Sequence, residues 1–365
     1  MPRIARIDTA LYDVPLKGRL TWGSGHELHH LAHVLVRVEL ADGAAGIAEA
    51  PARPSIYGET QATIRHIIEQ HLAPALLGEA IDSYAAVAAL SVRGARIKNN
   101  HTAKGALDMA LHQALAVSRG QRLTDYLGAA RRRIRLSSIV STGSPAAVLA
   151  DVRASYAAGL RVFKVKIGRD IPAEIETIEH LLDEFPEARF YVDANETLAS
   201  EKAAALLDRL YELGVMHCEE ALPVHELAAR RQLRRACRMP IIADDSAFTV
   251  DELRRELAFE TFDILNIKTA RTGFSQSRRM LKHCLAAGKD AMVGSQAGSL
   301  LGCLQAAIFA GHEAVTCANE CSFYLKTEAD LSFAPPIVDG WLALDDAEGA
   351  LARVQEALAQ PSAWV

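Results

Sequence analysis

The sequence has few features of a disulfide-stapled, membrane-spanning or secreted protein. It contains six cysteines in 365 residues and no C-x-x-C pair, so we expect reduced, packed thiols and neither a disulfide framework nor a zinc site. No apolar run approaches the roughly 20 residues of a membrane span, and the opening "MPRIARIDTALYDVPLKG" lacks the apolar stretch of a signal peptide. We therefore expect a cytoplasmic protein with no membrane partner.

Charge and glycine patterning exclude further classes. The net charge is -5, with 23% charged and 50% hydrophobic residues, which is ordinary for a globular protein. The arginine clusters "RRRIR" and "RRQLRR" are interrupted by other residue types, so we place them on solvated helix faces and expect no nucleic-acid partner. No glycine-rich phosphate fingerprint follows an apolar run, which disfavours a doubly wound open sheet.

The hydrophobic pattern changes near residue 130. Before it, alternating runs such as "LAHVLVRVELADGAAGIAEA" predict an antiparallel sheet, and helical patterns follow from about Glu59 to Leu127. After it, eight short apolar runs alternate with amphipathic segments at intervals of about 25 residues, the size of one βα unit. We predict an α/β fold with a (β/α)8-type barrel at 131–330. An α+β capping domain at 1–130 should pack over the barrel mouth, joined by a returning C-terminal segment with a hairpin at 331–365.

Polar residues stand at the ends of five successive apolar runs. They are Lys164 and Lys166, then Asp193 and Asn195, Glu219 and Glu220, Asp244 and Asp245, and finally Lys268. In a barrel, the carboxyl ends of all strands converge on one mouth. Three neighbouring acidic ends supply the hard oxygen ligands that suit Mg²⁺. The period of two places Lys164 and Lys166 on the same face of their strand, beside the acidic ends.

Taken in order, these motifs resemble a known family. The stretches "FKVKIG", "YVDAN", "CEEALP", "IIADDS" and "ILNIKTARTG" are similar in order and spacing to the enolase superfamily, specifically the muconate lactonizing enzyme subgroup of the mandelate racemase/muconate lactonizing enzyme family. The resemblance extends over nearly the whole chain, because "AKGALDMALHQALAVSRGQRLTDYLG" is similar to the helix leading into the barrel and "EAPARPSIYGET" to a capping-domain loop. It implies a modified TIM barrel and a homo-oligomeric isomerase of small carboxylate substrates.

The resemblance also implies individual roles. Asp193, Glu219 and Asp244 would bind Mg²⁺, or alternatively Mn²⁺. Lys166 and Lys268 would be the acid and base on opposite faces of the substrate, and Lys164 would polarise a substrate carboxylate oxygen. The candidates for substrate binding or for support of these groups are Asn195, Glu220, Asp245, Gln296, Glu320, Trp22, His26, Arg53 and Tyr57.

Some of these candidates have a second interpretation. For Asn195, a helix N-cap is favoured over ligation. Asp245 departs from the glutamate that is usual in the family. The stretch "HELHHLAH" invites a metal interpretation through His26, His29, His30 and His33, but a lid loop running into a strand is favoured. In the family the equivalent loop closes over the substrate, which would put Trp22 and His26 near it.

The implied chemistry is removal of a proton α to a carboxylate. That proton is too weakly acidic to be removed at neutral pH unless the developing enediolate is stabilised, which the divalent ion and Lys164 would do. A free lysine is a poor base because its pKa is about 10.4. The neighbouring ammonium and the metal ion both disfavour the charged form of Lys166, so we expect them to lower its pKa toward the working pH.

The reaction type stays open at this stage, because cycloisomerisation, racemisation or epimerisation of an amino acid derivative, and syn dehydration share the enediolate. Dipeptide epimerases carry D-x-D after the eighth strand, where this chain has Asn319, Glu320 and Cys321. The stretch "NECSFYL" is more similar to the E-L-F region of cycloisomerases, which favours a muconate cycloisomerase-like enzyme.

Two departures from the family pattern affect the expected substrate. The stretch "GSQAGSLLG" has Gln296 and Ser299 where many relatives have a glutamate, and the terminal P-G-L-G is replaced by "EGALA". Two other classes of function are less favoured. One is a class I Schiff-base aldolase using Lys268. The other is a non-catalytic binding protein, against which the burial of five charged strand ends argues.

Overall fold

The computed structural model describes residues 1–22, 26–94 and 96–359. The chain opens with a three-stranded antiparallel sheet of β1 (Ile4–Trp22), β2 (His26–Leu40) and β3 (Ala45–Pro51). Strands β1 and β2 pair along most of their length, with register shifts near each end of β1. This is the antiparallel sheet that the alternating apolar pattern predicts.

Six helices and a short strand follow the sheet in the described chain. They are α1 (Pro54–Tyr57), α2 (Gln61–Ile67), α3 (Ala73–Leu76), α4 (Tyr84–Gly94), α5 (His101–Ser118), α6 (Leu123–Leu127) and β4 (Arg133–Arg135). A π-helical turn, Ile68–Leu72, joins α2 to α3. Helix α5 is buried over most of its length and packs on β3. Gly46 permits this approach, because a Cβ there would lie 2.5 Å from the amide nitrogen of Ala114.

A seven-stranded parallel sheet with helical connections forms the second half. Its strands are β5 (Ser138–Val140), β6 (Val162–Lys166), β7 (Arg189–Asp193), β8 (Cys218–Glu219), β9 (Ile241–Ala243), β10 (Ile264–Ile267) and β11 (Asp290–Val293), in this spatial order. The helices are α7 (Pro145–Ala157), α8 (Ile171–Glu184), α9 (Ser200–Glu212), α10 (Leu227–Ala236), α11 (Val250–Phe259), α12 (Thr269–Ala286) and α13 (Leu300–Ala310). The predicted alternation of strands and helices is confirmed.

The eighth predicted run forms no regular strand within the described ranges, but its backbone is hydrogen-bonded to both edges of the sheet. The amide of Glu320 donates to the carbonyl of Val293 in β11 at 2.8 Å, and the amide of Ser137 donates to the carbonyl of Asn319 at 2.8 Å. Leu136 and Asn319 also form a parallel bridge. Segment 316–320 therefore lies between β11 and the residues that lead into β5.

The end of the chain returns to the start of the second half. Strands β12 (Ile337–Val338) and β13 (Trp341–Ala343) form a hairpin, and β13 also pairs antiparallel with β4. Helix α14 (Leu344–Leu358) follows and packs against α13 and α6. The predicted hairpin in "PPIVDGWLALDD" is thus present.

The far end of β1 lies against loops at the carboxyl edge of the parallel sheet. Thr21 Oγ1 donates to the carbonyl of Thr142, just after β5, at 3.0 Å. Lys17 Nζ donates to the carbonyl of Leu325 at 3.0 Å, and Leu16 forms a bridge with Thr327. The antiparallel sheet therefore contacts the edge of the parallel sheet that carries the polar strand ends.

Apolar side chains from both halves of the chain form one continuous core. The six cysteines are all free thiols, as the absence of paired motifs predicts. In the part of the chain that the structure describes, no helix has both the length and the apolar character that crossing a membrane requires.

Candidate active site

Three buried carboxylates form a row at the carboxyl ends of neighbouring strands. Asp193 ends β7, Glu219 ends β8 and Asp244 directly follows β9. Asp193 is in register with Glu219, and Glu219 is in register with Ile242, two residues before Asp244. Adjacent strands of a sheet are only about 4.8 Å apart, so this register brings the three side chains together. We call Asp193, Glu219 and Asp244 the carboxylate row.

Two lysines bind the opposite ends of the carboxylate row. Lys166, the last residue of β6, donates from Nζ to Asp193 Oδ2 at 2.5 Å and to Asn195 Oδ1 at 2.9 Å. Lys268, which directly follows β10, donates from Nζ to Asp244 Oδ2. Three strands separate β6 from β10 in the sheet, and they are the three that bear the row. The two ammonium groups therefore flank the row from its two sides.

Lys164 lies deeper, on the same face of β6 as Lys166. Its Nζ is 3.0 Å from Glu219 Oε1, 3.4 Å from Asp193 Oδ2 and 2.5 Å from Glu320 Oε1. Lys166 also contacts Asp193 Oδ2, so the shared partner confirms that the two lysines face the same way. One fully buried ammonium thus serves three carboxylates.

The ionisation of the row is set by burial and by these ion pairs. Burial alone would raise the pKa of Asp193 and of Asp244, but their lysine partners outweigh it and lower both. For Glu219, burial and repulsion by Asp193, Glu320 and Asp244 outweigh Lys164, and its pKa is raised well above its usual value. The negative charge at the centre of the row, on Glu219, is therefore the least compensated by neighbouring positive groups.

The same ion pairs also determine the pKa values of two lysines. Burial would lower the pKa of Lys164 and of Lys268, but the facing carboxylates outweigh burial and raise both. These two side chains are therefore held as ammonium groups by the carboxylate row.

The carboxylate row fits a hard divalent cation in its donor chemistry. Carboxylate oxygens at three adjacent strand ends are the donors that Mg²⁺ prefers. The repulsion that raises the pKa of Glu219 would be relieved by a cation between the three groups. In the described ranges, no three His, Cys, Asp or Glu side chains converge closely enough to hold a metal ion. Each carboxylate of the row instead forms an ion pair with a lysine.

The histidine-rich stretch offers no alternative metal centre among the described side chains. His29 pairs with Glu27 at 3.0 Å on the surface. His33 is fully buried and its Nδ1 lies 3.3 Å from Glu49 Oε2. The side chains of Trp22 and His26, both predicted near the substrate, lie outside the described part of the structure.

Asn195 does not cap a helix, and that interpretation of the sequence was wrong. Helix α9 begins at Ser200 and its N-cap residue is Ala199. The chain turns sharply after β7, with Asn195 at φ 42°, and its amide donates to Asp193 Oδ1 at 2.9 Å. With its side-chain oxygen on Lys166, Asn195 holds the first carboxylate and its lysine in place.

Glu220 and Asp245 hold Asp244, the last member of the carboxylate row, in position. Glu220 Oε1 accepts hydrogen bonds from the amides of Asp244 at 2.6 Å and Ser246 at 3.2 Å. Burial raises the pKa of Glu220 to about 7, against the opposing effect of Arg230. Asp245 Oδ1 is 3.4 Å from Arg271 Nη1, and Arg271 Nη2 also donates to Asp244 Oδ1 at 3.1 Å. Arg271 therefore fixes both aspartates.

Glu320 contacts Lys164 within a network that the sequence analysis did not foresee. Its Oε1 accepts from the phenol of Tyr191 at 2.8 Å, and its Oε2 accepts from the amide of Ser295 at 2.9 Å. The Tyr191 hydroxyl also lies 3.1 Å from Ser137 Oγ. With Lys164 added, both oxygens of Glu320 are occupied by groups of this chain.

Three residues bonded to the row or to Glu320 were missed by the sequence analysis, and two of them carry a pattern that could have revealed them. Tyr191 stands two residues before Asp193, and Asn266 stands two residues before Lys268, so the period of two places each on the same face of its strand as the predicted site residue. Asn266 Nδ2 donates to Glu219 Oε2 at 3.1 Å. Arg271 follows Lys268 by one helical turn and carries no such signal.

The remaining candidates lie where the two halves of the chain meet. Arg53 is buried and donates to the carbonyls of Gln296 at 2.6 Å and Ala297 at 3.2 Å, so its contacts are to the loop after β11 rather than to the carboxylate row. The Nε2 of Gln296 is buried without a partner in the described residues. The ring of Tyr57 packs edge-on against Phe248, with ring centroids 5.3 Å apart.

The chain matches two family models over most of its length. Residues 22–128 match the family model of the mandelate racemase/muconate lactonizing enzyme N-terminal domain, and residues 147–358 match the enolase C-terminal domain-like model. The chain belongs to the mandelate racemase/muconate lactonizing enzyme family of the enolase superfamily.

Curated relatives within this family include epimerases and a cycloisomerase. An L-Ala-D/L-Glu epimerase from Francisella tularensis subsp. novicida is 28% identical, covering 87% of this chain and 90% of the relative. A chloromuconate cycloisomerase from Cupriavidus necator is 28% identical, covering 82% of each protein. This enolase-superfamily chain is therefore an isomerase.

Two solved structures are similar over almost the whole chain. The muconate lactonizing enzyme from Mycobacterium smegmatis, in complex with muconolactone, is 33% identical with a TM-score of 0.88, covering 93% of this chain and 94% of that one. The dipeptide epimerase from Cytophaga hutchinsonii, in complex with Mg and D-Ala-L-Val, is 26% identical with a TM-score of 0.81, covering 90% and 89%.

Proposed function

We propose that this isomerase transfers a proton at the carbon α to a substrate carboxylate, and that it is a muconate cycloisomerase-like enzyme. The observation that carries the proposal is the order of charges along the sheet, in which Lys166 and Lys268 bracket three buried carboxylates. A carbon held above the centre of the row would have one ammonium or amine group on each side. This is the geometry that proton transfer to either face requires.

Asp193, Glu219 and Asp244 would hold the divalent ion, Mg²⁺ or Mn²⁺. The similar epimerase structure that contains Mg supports this choice of metal. When bound, the ion supplies positive charge opposite the substrate carboxylate and so lowers the cost of the developing enediolate. Lys164, already held as an ammonium group by three carboxylates, would add charge at a substrate carboxylate oxygen.

In a cycloisomerase, one substrate carboxylate oxygen adds to a carbon–carbon double bond conjugated with the other carboxylate. The electron pair of the double bond moves into that second carboxylate as an enediolate, and a lysine ammonium then delivers a proton to its α-carbon. One of the pair Lys166 and Lys268 is the proton donor in this scheme. The other contributes positive charge across the ring.

The occupancy of Glu320 favours a substrate without an ammonium group. A dipeptide brings an ammonium group that needs an anionic partner when it leaves water. In this chain the carboxylate that follows the eighth run is already bonded to Lys164, Tyr191 and the amide of Ser295. The similarity to the enzyme solved with muconolactone points the same way.

Dipeptide epimerisation is the second candidate. The epimerase from Francisella and the Cytophaga epimerase solved with D-Ala-L-Val support it. In that case, both Lys166 and Lys268 would exchange protons with the same carbon, one from each face. A racemase of another amino acid derivative or a dehydratase would use the same row.

We further propose how the fold encloses the site. Segment 316–320, hydrogen-bonded to both sheet edges, would close the parallel strands into a (β/α)8-type barrel over 131–330. Residues 1–130 would be the capping domain, together with the returning segment 331–365. The contacts of Lys17 and Thr21 with loops at the carboxyl edge support this arrangement.

Deuterium incorporation separates the two candidate reactions. The enzyme is incubated in D₂O with cis,cis-muconate, with muconolactone or with L-Ala-D-Glu, and the products are examined by NMR. A cycloisomerase should introduce one deuterium stereospecifically next to the carboxylate of the lactone. An epimerase should exchange the α-proton of the glutamate residue from both faces and leave muconate unchanged.

Replacing each lysine tests whether it transfers the proton. Lys166→Ala or Lys268→Ala should reduce kcat by on the order of 10² to 10⁴, with the fold checked by circular dichroism. Lys202→Ala, an exposed lysine of α9, is the matched control and should keep full activity. A loss of less than about tenfold for Lys166→Ala with metal still bound would overturn the role proposed for this lysine.

A further inference from the structure

A large cavity lies outside the proposed active site, between the N-terminal helices and the helices that follow β9 and β10. Its volume is about 590 Å³, and α3, α4, α5, α11 and α12 contribute to its walls. The carboxylate row and its lysines do not line it. Arg271 is shared, because it lines the cavity and also donates to Asp244 Oδ1 at 3.1 Å.

The cavity wall carries positive charge that the protein does not neutralise. Arg96, Lys98, Lys104 and Arg279 line it, and none of them forms an ion pair within the described ranges. Among the described residues, Lys104 Nζ donates to the carbonyl of Ile97 alone, and Arg279 Nη1 donates to the neutral amide oxygen of Gln276 at 3.1 Å. Arg96, Lys98 and Arg279 are exposed and Lys104 is half-buried, so all four cations are accessible to an anion in the cavity.

The two acidic residues in the wall are engaged elsewhere. Asp108 is buried and accepts hydrogen bonds from Ser91 Oγ and from the amide of Ser275. Asp251 is almost fully exposed and lies 3.7 Å from Arg254. Burial lowers the pKa of Lys104 against the opposing effect of Glu59, and Lys98 lowers it further. An anion between the two lysines would relieve this repulsion.

Apolar side chains form the other part of the wall. They are Leu72, Leu76, Leu90, Ile97, Leu107, Leu111, Phe248 and Val250. Most of these side chains individually expose little area, but together they line the apolar part of the cavity, which an apolar body between anionic groups would contact and a small inorganic anion would not.

We propose that this cavity binds an organic anion that carries at least two carboxylate or phosphate groups on an apolar body. The anionic groups contact Arg96, Lys98, Lys104 and Arg279, and the apolar body lies on the leucine side chains. This inference does not depend on the reaction proposed above, because it uses a different set of residues.

Calorimetric titration of the full-length enzyme tests the proposal, with benzene-1,3,5-tricarboxylate as the probe. The double charge reversal Arg96→Glu/Lys98→Glu should weaken binding by on the order of tenfold or more. The matched control, Lys202→Glu/Lys282→Glu, reverses two exposed lysines that form no ion pair among the described residues, and should bind within about twofold of the wild type. Inorganic pyrophosphate, which lacks an apolar body, should bind about tenfold more weakly than the tricarboxylate.

Chemical labelling locates the bound probe. Acetylation of Lys98, followed by mass spectrometry, should slow when the tricarboxylate is present, while acetylation of Lys202 should not change. Equal affinities of the two double variants, or equal binding of pyrophosphate, would contradict the proposal. Lys98 could instead be acetylated slowly even without added anion, and Arg96→Glu/Lys98→Glu could change the oligomeric state. These two results together would show that a second copy of the chain, and not an organic anion, covers the cavity.

Discussion

Burial makes the ionisable side chains of the active site depend on one another. Lys164 is the shared counter-charge of Asp193, Glu219 and Glu320. An ion pair taken out of water is stable only when its remaining hydrogen-bonding capacity is also satisfied. Tyr191 and Asn266 meet this requirement, because each donates a hydrogen bond to one of these carboxylates. The loss of any one polar residue of this network would leave a buried charge without one of its hydrogen-bond or ion-pair partners.

His112 extends the same reasoning to protein stability. It is fully buried, with Nε2 2.7 Å from Ser275 Oγ and Nδ1 2.8 Å from the Tyr126 hydroxyl. Burial lowers its pKa, although Asp108 opposes this effect. Because the unfolded state then binds the proton more readily, His112 contributes stability above its unfolded pKa of about 6.5. This contribution is lost as the pH falls through the lower pKa of the folded state.

We therefore expect the free energy of unfolding to fall as the pH drops below about 6.5, by up to about 1.4 kcal/mol per pH unit for each such histidine. Urea unfolding of His112→Gln should show lower stability at neutral pH and a shallower decline toward acid pH. His30→Gln, at an exposed position, is the control and should keep the wild-type slope. Parallel pH dependences of His112→Gln and the wild type would show that His112 is not the group responsible.

Single residues also show where sequence reasoning succeeds and where it stops. The carboxylate row and both flanking lysines are readable because each directly ends a short apolar run. Tyr191 was readable in principle through the period of two. The contacts of Arg53 with the carbonyls of Gln296 and Ala297 were not, because they join positions more than 240 residues apart and no local pattern encodes them.

At the scale of elements, the parallel strands were predictable from alternation, whereas the eighth run was not. Its apolar stretch has the composition of a strand, but segment 316–320 takes its hydrogen bonds from both neighbouring edges without a regular ladder. Pairing depends on the neighbouring backbones as well as on the apolar pattern. The same limit applies to Asn195. A turn of several residues separates it from the start of α9, so its side chain accepts a hydrogen bond from Lys166 instead of capping the helix.

Helix α12 shows how an element is held in position next to the site. It begins directly after Lys268, and at Gly273 its backbone adopts φ 61° and ψ -179°, a conformation open essentially only to glycine. A Cβ on Gly273 would lie 2.7 Å from the Cβ of Asp108 in α5. Asp108 Oδ2 accepts the amide of Ser275 at 2.9 Å. Helix α5 thus anchors the kink that follows Lys268.

Gly273→Ala should therefore destabilise the protein by about 2 to 4 kcal/mol, the sum of a strained backbone and an overpacked contact. Gly288→Ala is the control, because Gly288 also has a positive φ of 63° but a Cβ there would meet no atom within 4 Å, and should cost about 1 kcal/mol. Urea unfolding measures both. The double variant Asp108→Gly/Gly273→Ala, which removes the Cβ at position 108, should be less destabilised than the sum of its single variants, and simple additivity would contradict the proposed contact.

At the scale of the whole molecule, both halves of the chain contribute apolar side chains to one core. The N-terminal sheet reaches the carboxyl edge of the parallel sheet through Lys17 and Thr21, and α5 packs on both β3 and α12. Because Asp193, Glu219 and Asp244 come together only when this fold forms, a cation bound by them should stabilise the folded state of the whole chain.

We expect Mg²⁺ to raise the free energy of unfolding, by about 2.7 kcal/mol at a concentration 100 times its Kd. The measurement is thermal or urea unfolding after exhaustive chelation, with and without added Mg²⁺. Asp193→Asn/Glu219→Gln should lose this gain because two of the three ligands no longer carry charge, whereas Asp183→Asn/Glu201→Gln, which makes the same charge change at exposed positions, should retain it. The same Mg²⁺-dependent gain in both variants, or activity that survives chelation, would mean that the carboxylate row does not hold the metal.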